Sequence, residues 1–124
     1  MEAGFTFTMV ALDQHLWVVL SDPVKDPENV LLVNLTTLGP RKEQACVLTH
    51  NDHPWVRHPT CVNYGDAVVT TLAKLRDAKN GGAITLQDPV SAALLQRMRE
   101  GALASERMSL DNADILINQG LIDA

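Results

Sequence analysis

No stretch of this chain stays apolar for long. Its longest hydrophobic runs, such as residues 16–20 and 30–33, fall far short of the roughly 20 residues that cross a bilayer. The start, Met1-Glu2-Ala3-Gly4-Phe5, is acidic and has no basic patch ahead of an apolar run, so no export signal is read. Only two cysteines occur, Cys46 and Cys61, and without export they are expected reduced and partly buried. No Gly-x-Ser-x-Gly elbow is present, and neither cysteine opens an expected helix, which removes the usual activated nucleophiles. Gly81-Gly82 lacks the flanking pattern of a phosphate-cradling loop. Internal repeats, low-complexity tracts and linkers are also missing. The expectation is a soluble, cytoplasmic protein with a single domain over residues 1–124.

What remains is an ordinary globular balance, 46% hydrophobic and 20% charged, enough to bury a core without metal or disulfide staples. The net charge of −5 is unevenly spread. Residues 1–40 and 100–124 each carry one basic residue against five acids, whereas residues 41–99 carry eight basic residues against five acids. A phosphate-bearing ligand meets least repulsion from that middle segment.

The first two-thirds reads as β. Phe5-Thr6-Phe7-Thr8-Met9-Val10 alternates as a half-buried strand does. Leu16-Trp17-Val18-Val19-Leu20 and residues 29–35 are continuous β-type runs, closed by Ser21-Asp22-Pro23 and Gly39-Pro40. Residues 45–49, 60–62, 67–71 and 83–86 are further short strands, with Tyr64-Gly65-Asp66 and Asn80-Gly81-Gly82 as turns. The final third changes period. Asp88-Pro89 reads as a helix start, with Val90, Leu94, Met98 and Ala102 on one face and Gly101 weakening the last turn. A second helix starts at a Ser109 cap, runs through Leu110, Ala113 and Ile117, and stops at Gly120; the tail beyond frays or docks on a partner. The fold class expected is mainly β with C-terminal helices (α+β), a small β-barrel over about 4–87 and helices over about 88–120.

The richest chemistry lies in residues 50–61, His-Asn-Asp-His-Pro-Trp-Val-Arg-His-Pro-Thr-Cys, which hold three of the four histidines. Imidazole is the side chain most easily poised for proton transfer near neutral pH. Trp55 is either a stacking platform for an unpaired base or a plug for the barrel end. The spacing His50-x-x-His53-x4-His58-x-x-Cys61 also offers four zinc-type ligands, so a zinc-binding protein is an alternative reading.

Five short motifs recur in a telling order: Gly4-Phe5-Thr6-Phe7, His15-Leu16-Trp17-Val18-Val19-Leu20-Ser21, Leu35-Thr36-Thr37, Thr60-Cys61-Val62, and Leu72-Ala73-Lys74-Leu75 leading into a helix. That order, over roughly residues 4–103, resembles the PemK/MazF family of toxin–antitoxin ribonucleases, which are small SH3-like barrels. The resemblance implies a metal-independent endoribonuclease acting on single-stranded RNA, without a cofactor, dimeric, and held in check by an antitoxin protein. In the family an Arg before the second strand and a Thr ending the third face each other and cleave RNA. By position they fall on His15 and Thr36, with His replacing Arg and Leu16 replacing Pro. The family's long loop between the first two strands is shortened here to about residues 11–14.

Cleavage of this kind needs a base for the 2′-hydroxyl, an acid for the leaving 5′-oxygen, and donors for the phosphorane oxygens. The candidate catalytic residues are His15, Thr36, Thr37, His53 and His58, with His15 as acid or base, a Thr hydroxyl on a phosphate oxygen, and His53 or His58 as the second proton-transfer group. Substrate binding falls to His50, Trp55 and Arg57, the last supplying positive charge. A non-catalytic barrel module that binds protein or nucleic acid through the loop at residues 50–58 is the other alternative. The apolar strands and last helix suit a symmetric partner.

Overall fold

The computed structural model describes residues 1–10 and 15–123. The shortened loop expected at residues 11–14 lies outside them. Among the described residues the chain runs β1 (Thr6–Met9), β2 (Trp17–Val19), β3 (Val30–Thr37), β4 (Val47–Leu48), β5 (Thr60–Thr70), α1 (Leu72–Asn80), β6 (Ile84–Gln87), α2 (Ala92–Ala104) and α3 (Leu110–Asn118). The strands form a single antiparallel sheet in the order β4-β5-β3-β2-β1-β6. The class is α+β, mostly β with C-terminal helices. The expected closure does not occur: β4 and β6 are the two edges of an open sheet. No helix among the described residues is long and apolar enough to cross a membrane.

Within the sheet β3 is buried on both faces from Val30 to Leu35, which is why it reads as an unbroken apolar run. Leu31, Val33 and Leu35 point into one core with α2 and α3, while Val30 and Leu32 point into another with α1. In the first, Val90, Leu94, Met98 and Ala102 are buried as their i+4 spacing requires. Each large side chain there contributes about 1.5–3 kcal/mol through burial. The second core is smaller, built on Phe7, Val19, Ile84, Leu72 and Leu75.

Several local expectations are corrected. Asp88 does not cap α2; Ser91 does, its Oγ accepting from Leu94 N at 3.1 Å. The Asp88 carbonyl is committed elsewhere, as the site shows. Helix α1 has little apolar periodicity, and is capped by Thr71, whose hydroxyl accepts from Lys74 N. The turn expected at Tyr64-Gly65-Asp66 is instead part of β5. Pairing slips there, from Leu32 opposite Val68 to Asn34 opposite Asn63, so five steps of β5 match two of β3.

Gly101 does not weaken α2. A Cβ at that position would overlap the Tyr64 hydroxyl and lie 3.1 Å from both the Ala45 carbonyl oxygen and Cys46 Cβ. The hydrogen is what lets α2 approach β5, and Tyr64 Oη donates to the Met98 carbonyl at 2.6 Å across the junction.

Helix α3 starts at Ser109 as expected and ends in a Schellman turn at Gly120, φ +70°, with Leu121 N donating to Leu116 O. Its inward face is Ala113 and Leu116, not Leu110, which is 82% exposed. Ile122, two residues past Gly120, is not frayed but buried in the α2–α3 core.

Candidate functional site

The histidine loop joins β4 to β5 and divides into two halves. The first is pinned. Thr49 N donates to Asp52 Oδ2 at 2.8 Å, and Asp52 Oδ1 pairs with Arg97 Nη1 of α2 at 2.8 Å. The Thr49 amide, then the Arg97 guanidinium, hold the Asp52 carboxyl below its usual range. Arg97 also reaches the Val47 carbonyl through Nη2.

His53 completes the anchorage. It is 4% exposed; Trp55 N donates to its Nδ1 at 3.0 Å, and its Nε2 donates to the Asp88 carbonyl at 2.6 Å. A backbone N–H can only donate, so Nδ1 is the acceptor and Nε2 carries the proton. The same Asp88 carbonyl accepts from Thr6 Oγ1 at 2.6 Å. Thus His53 ties the loop to β1 and to the β6–α2 connection, with both ring nitrogens committed.

The second half, Pro54 onward, is displayed. Trp55 is 37% exposed, and Arg57 and His58 are exposed. They form a shared wall between two adjoining clefts. One, about 270 Å³, is lined by His15, Leu35, Thr36, Thr37, Trp55, Arg57, His58 and Thr60. The other, about 410 Å³, is lined by His53, Pro54, Trp55, Arg57, His58, Gln87 and Asp88.

Register explains why His15 and Thr36 meet. Trp17 pairs with Asn34, so two steps toward the cleft bring His15 level with Thr36. Cys61 and Thr60 of β5 lie opposite Thr36 and Thr37, and Thr60 Oγ1 donates to the His58 carbonyl at 2.9 Å, closing the floor. The His15 ring reaches the Leu35 carbonyl through Nδ1 at 2.9 Å. A carbonyl only accepts, so Nδ1 carries the proton in this contact.

The smaller cleft therefore gathers two imidazoles, a guanidinium and three hydroxyls, with no carboxylate among the described residues that line it. That set suits a phosphodiester: cation and hydroxyls for its oxygens, imidazoles for its protons. The larger cleft is different, since Asp88 and Gln87 are among its lining residues.

Of the sequence candidates, His15, Thr36, Thr37, Trp55, Arg57 and His58 share one cleft. His53 lines the neighbouring one from a buried, doubly bonded position. His50 is exposed and lines neither cleft. The four-ligand zinc arrangement is not assembled. Among the described residues no three His, Cys, Asp or Glu form a metal-holding group, and Cys61 is buried within β5, where burial raises its thiol pKa. The sequence marks neither Gln87 nor Asp88 as a site residue, since Asp88-Pro89 carries the signature of a helix start.

No family model matches this chain, and no curated protein or solved structure matches it either. Nothing in these comparisons identifies the PemK/MazF family.

Proposed function

We propose that the smaller cleft binds single-stranded RNA and cleaves it by side-chain acid–base chemistry, making the protein an endoribonuclease. The observation that carries the reading is the convergence of His15, Thr36, Thr37, Arg57, His58 and Trp55, from three separate segments, on one cleft. His15 takes the proton of a 2′-hydroxyl, whose oxygen attacks the adjacent phosphorus. His58 returns a proton to the departing 5′-oxygen, leaving a 2′,3′-cyclic phosphate and a free 5′-hydroxyl. Arg57 and the hydroxyls of Thr36 and Thr37 hold the phosphorane oxygens. His53 is a positioning residue in this scheme, holding Trp55 and the chain beyond it in place.

The cellular setting proposed is that of a toxin paired with an antitoxin. Its support is the resemblance in strand order; co-expression with a neighbouring small reading frame tests it through relief of growth arrest. A second copy of the chain is part of the same proposal, supported by exposed Val68 and Val69 on β5.

The direct experiment incubates purified protein with single-stranded RNA and resolves the products. His15→Ala is expected to lower the cleavage rate by roughly 10²–10⁴-fold with the thermal midpoint nearly unchanged. If folded wild-type protein leaves every RNA intact, the enzyme reading is wrong. The rigid anchorage of the loop favours a second reading, a non-catalytic module that displays Trp55 and Arg57 to a partner. It requires binding that survives His15→Ala and disappears in Trp55→Ala.

A further inference from the structure

The larger cleft has no role in the cleavage chemistry, yet it shares Trp55, Arg57 and His58 with the smaller one. Its distinguishing residues are Asp88, an exposed acid, and Gln87. A carboxylate repels phosphate, so this hollow is a poor seat for the RNA backbone. Its chemistry instead matches the edge of a base. At about 410 Å³ it falls within the range of small-ligand pockets, about 300–1,000 Å³.

Asp88 is well placed for reading an edge. Its carbonyl oxygen accepts from both Thr6 Oγ1 and His53 Nε2, which fixes the backbone from two sides. Its carboxylate has no hydrogen bond or ion pair among the described residues. Gln87 beside it donates through Nε2 to Thr8 Oγ1 at 3.3 Å, which leaves Oε1 as the acceptor end of the amide. Asp88 and Gln87 thus line the cleft together, with Arg57 on the wall it shares with the smaller one.

We infer that this cleft is a base-recognition subsite for guanine, next to the scissile phosphate, with Asp88 as the specificity-determining residue. Guanine presents two adjacent donors, N1–H and the 2-amino group, followed by the O6 acceptor. The donors pair with the Asp88 carboxylate and O6 with Arg57, while the ring lies against Trp55. Cytosine and adenine each bring a single amino donor beside ring acceptors, and uracil a single N–H between two carbonyls. None of them satisfies the carboxylate as fully.

The inference rests on the RNA reading of the neighbouring cleft, and its test separates the two by measuring binding with probes that cannot be cut. The probes are a five-nucleotide 2′-deoxyuridine oligomer, the same oligomer with one central guanine, and a third with central hypoxanthine, which lacks the 2-amino group. The full-length protein is expected to bind the guanine oligomer about tenfold more tightly than the uridine one, with hypoxanthine between them. Asp88→Asn, which keeps the shape and loses the paired acceptors, is expected to reduce that preference to less than about threefold. Equal binding of the three oligomers by the wild-type protein, or a preference unchanged in Asp88→Asn, overturns the subsite. Guanine preference in a protein that cuts no RNA keeps the subsite and removes the nuclease. RNA cleavage without regard to guanine does the reverse.

Discussion

The two halves of the histidine loop share composition but not duty. Between Thr49 and His53 the Thr49 amide, the Asp52 carboxylate and both His53 ring nitrogens are spent on the protein itself, within the loop, on α2 and on the β6–α2 connection. Beyond that stretch Trp55, Arg57 and His58 face open space and form the wall between two clefts, while Val56 among them turns into the core. The difference teaches that a histidine's neighbours in space, not in sequence, decide its role. His53 and His58 are five positions apart, yet one is a buried tie and the other an exposed group. Rigidity in the first half is what makes display possible in the second.

Substitutions divide along the same line. His53→Ala strands the Trp55 N–H and one of the two donors' share of the Asp88 carbonyl in a buried site, and should cost about 3 kcal/mol of stability in urea unfolding. If that variant unfolds at the wild-type midpoint, the pinned half is not pinned by His53. Gly101→Ala tests the platform beneath it. The new methyl must displace the Tyr64 hydroxyl or lift α2, with it Arg97, for a loss of about 2 kcal/mol in the same assay.

In the displayed half the signature inverts. Trp55→Ala should leave the unfolding midpoint almost where it was and weaken single-stranded oligonucleotide binding by about 1.5 kcal/mol, read by fluorescence anisotropy. A large stability loss in place of an affinity loss would make Trp55 a plug.

The smallest effect belongs to the Asp52–Arg97 pair. Arg97 is half exposed, so Arg97→Ala should cost under about 1 kcal/mol. The acid limb sharpens this. Folding lowers the Asp52 pKa, so its contribution is present above the ordinary carboxylate value and is lost as pH falls through the folded one. Wild-type and Asp52→Asn unfolding curves should therefore converge below about pH 4 and separate above it.

The helical end of the chain was legible because its signals are local. The Val90-Leu94-Met98-Ala102 stripe, the Ser109 cap and the Gly120 stop all operate within a few residues. Helix α1 has no such stripe, since Leu72 and Leu75 are its buried residues, Ala78 packs beside them, and its other positions are largely polar. Asp88-Pro89 misled for an instructive reason. The pair has the composition of a helix start, but Thr6 and His53, 82 and 35 residues away, claim the Asp88 carbonyl. In the site, the residue types of the cleft were readable and the partition between holding and displaying was not. That partition depends on contacts such as Arg97 with Asp52, 45 residues apart. The open edges of the sheet were likewise invisible, because a strand's sequence does not say whether its last neighbour closes back on the first.

The lone tyrosine supplies an optical consequence. Burial drives the Tyr64 phenol pKa far up, so in the native molecule the ring stays protonated well into alkaline solution. The folded form keeps that advantage below the phenol's ordinary value and surrenders it as alkalinity climbs beyond. Tyrosinate absorbance in the near ultraviolet should consequently appear as one sharp step that coincides with loss of circular dichroism, giving the chain its own built-in indicator of base-induced unfolding.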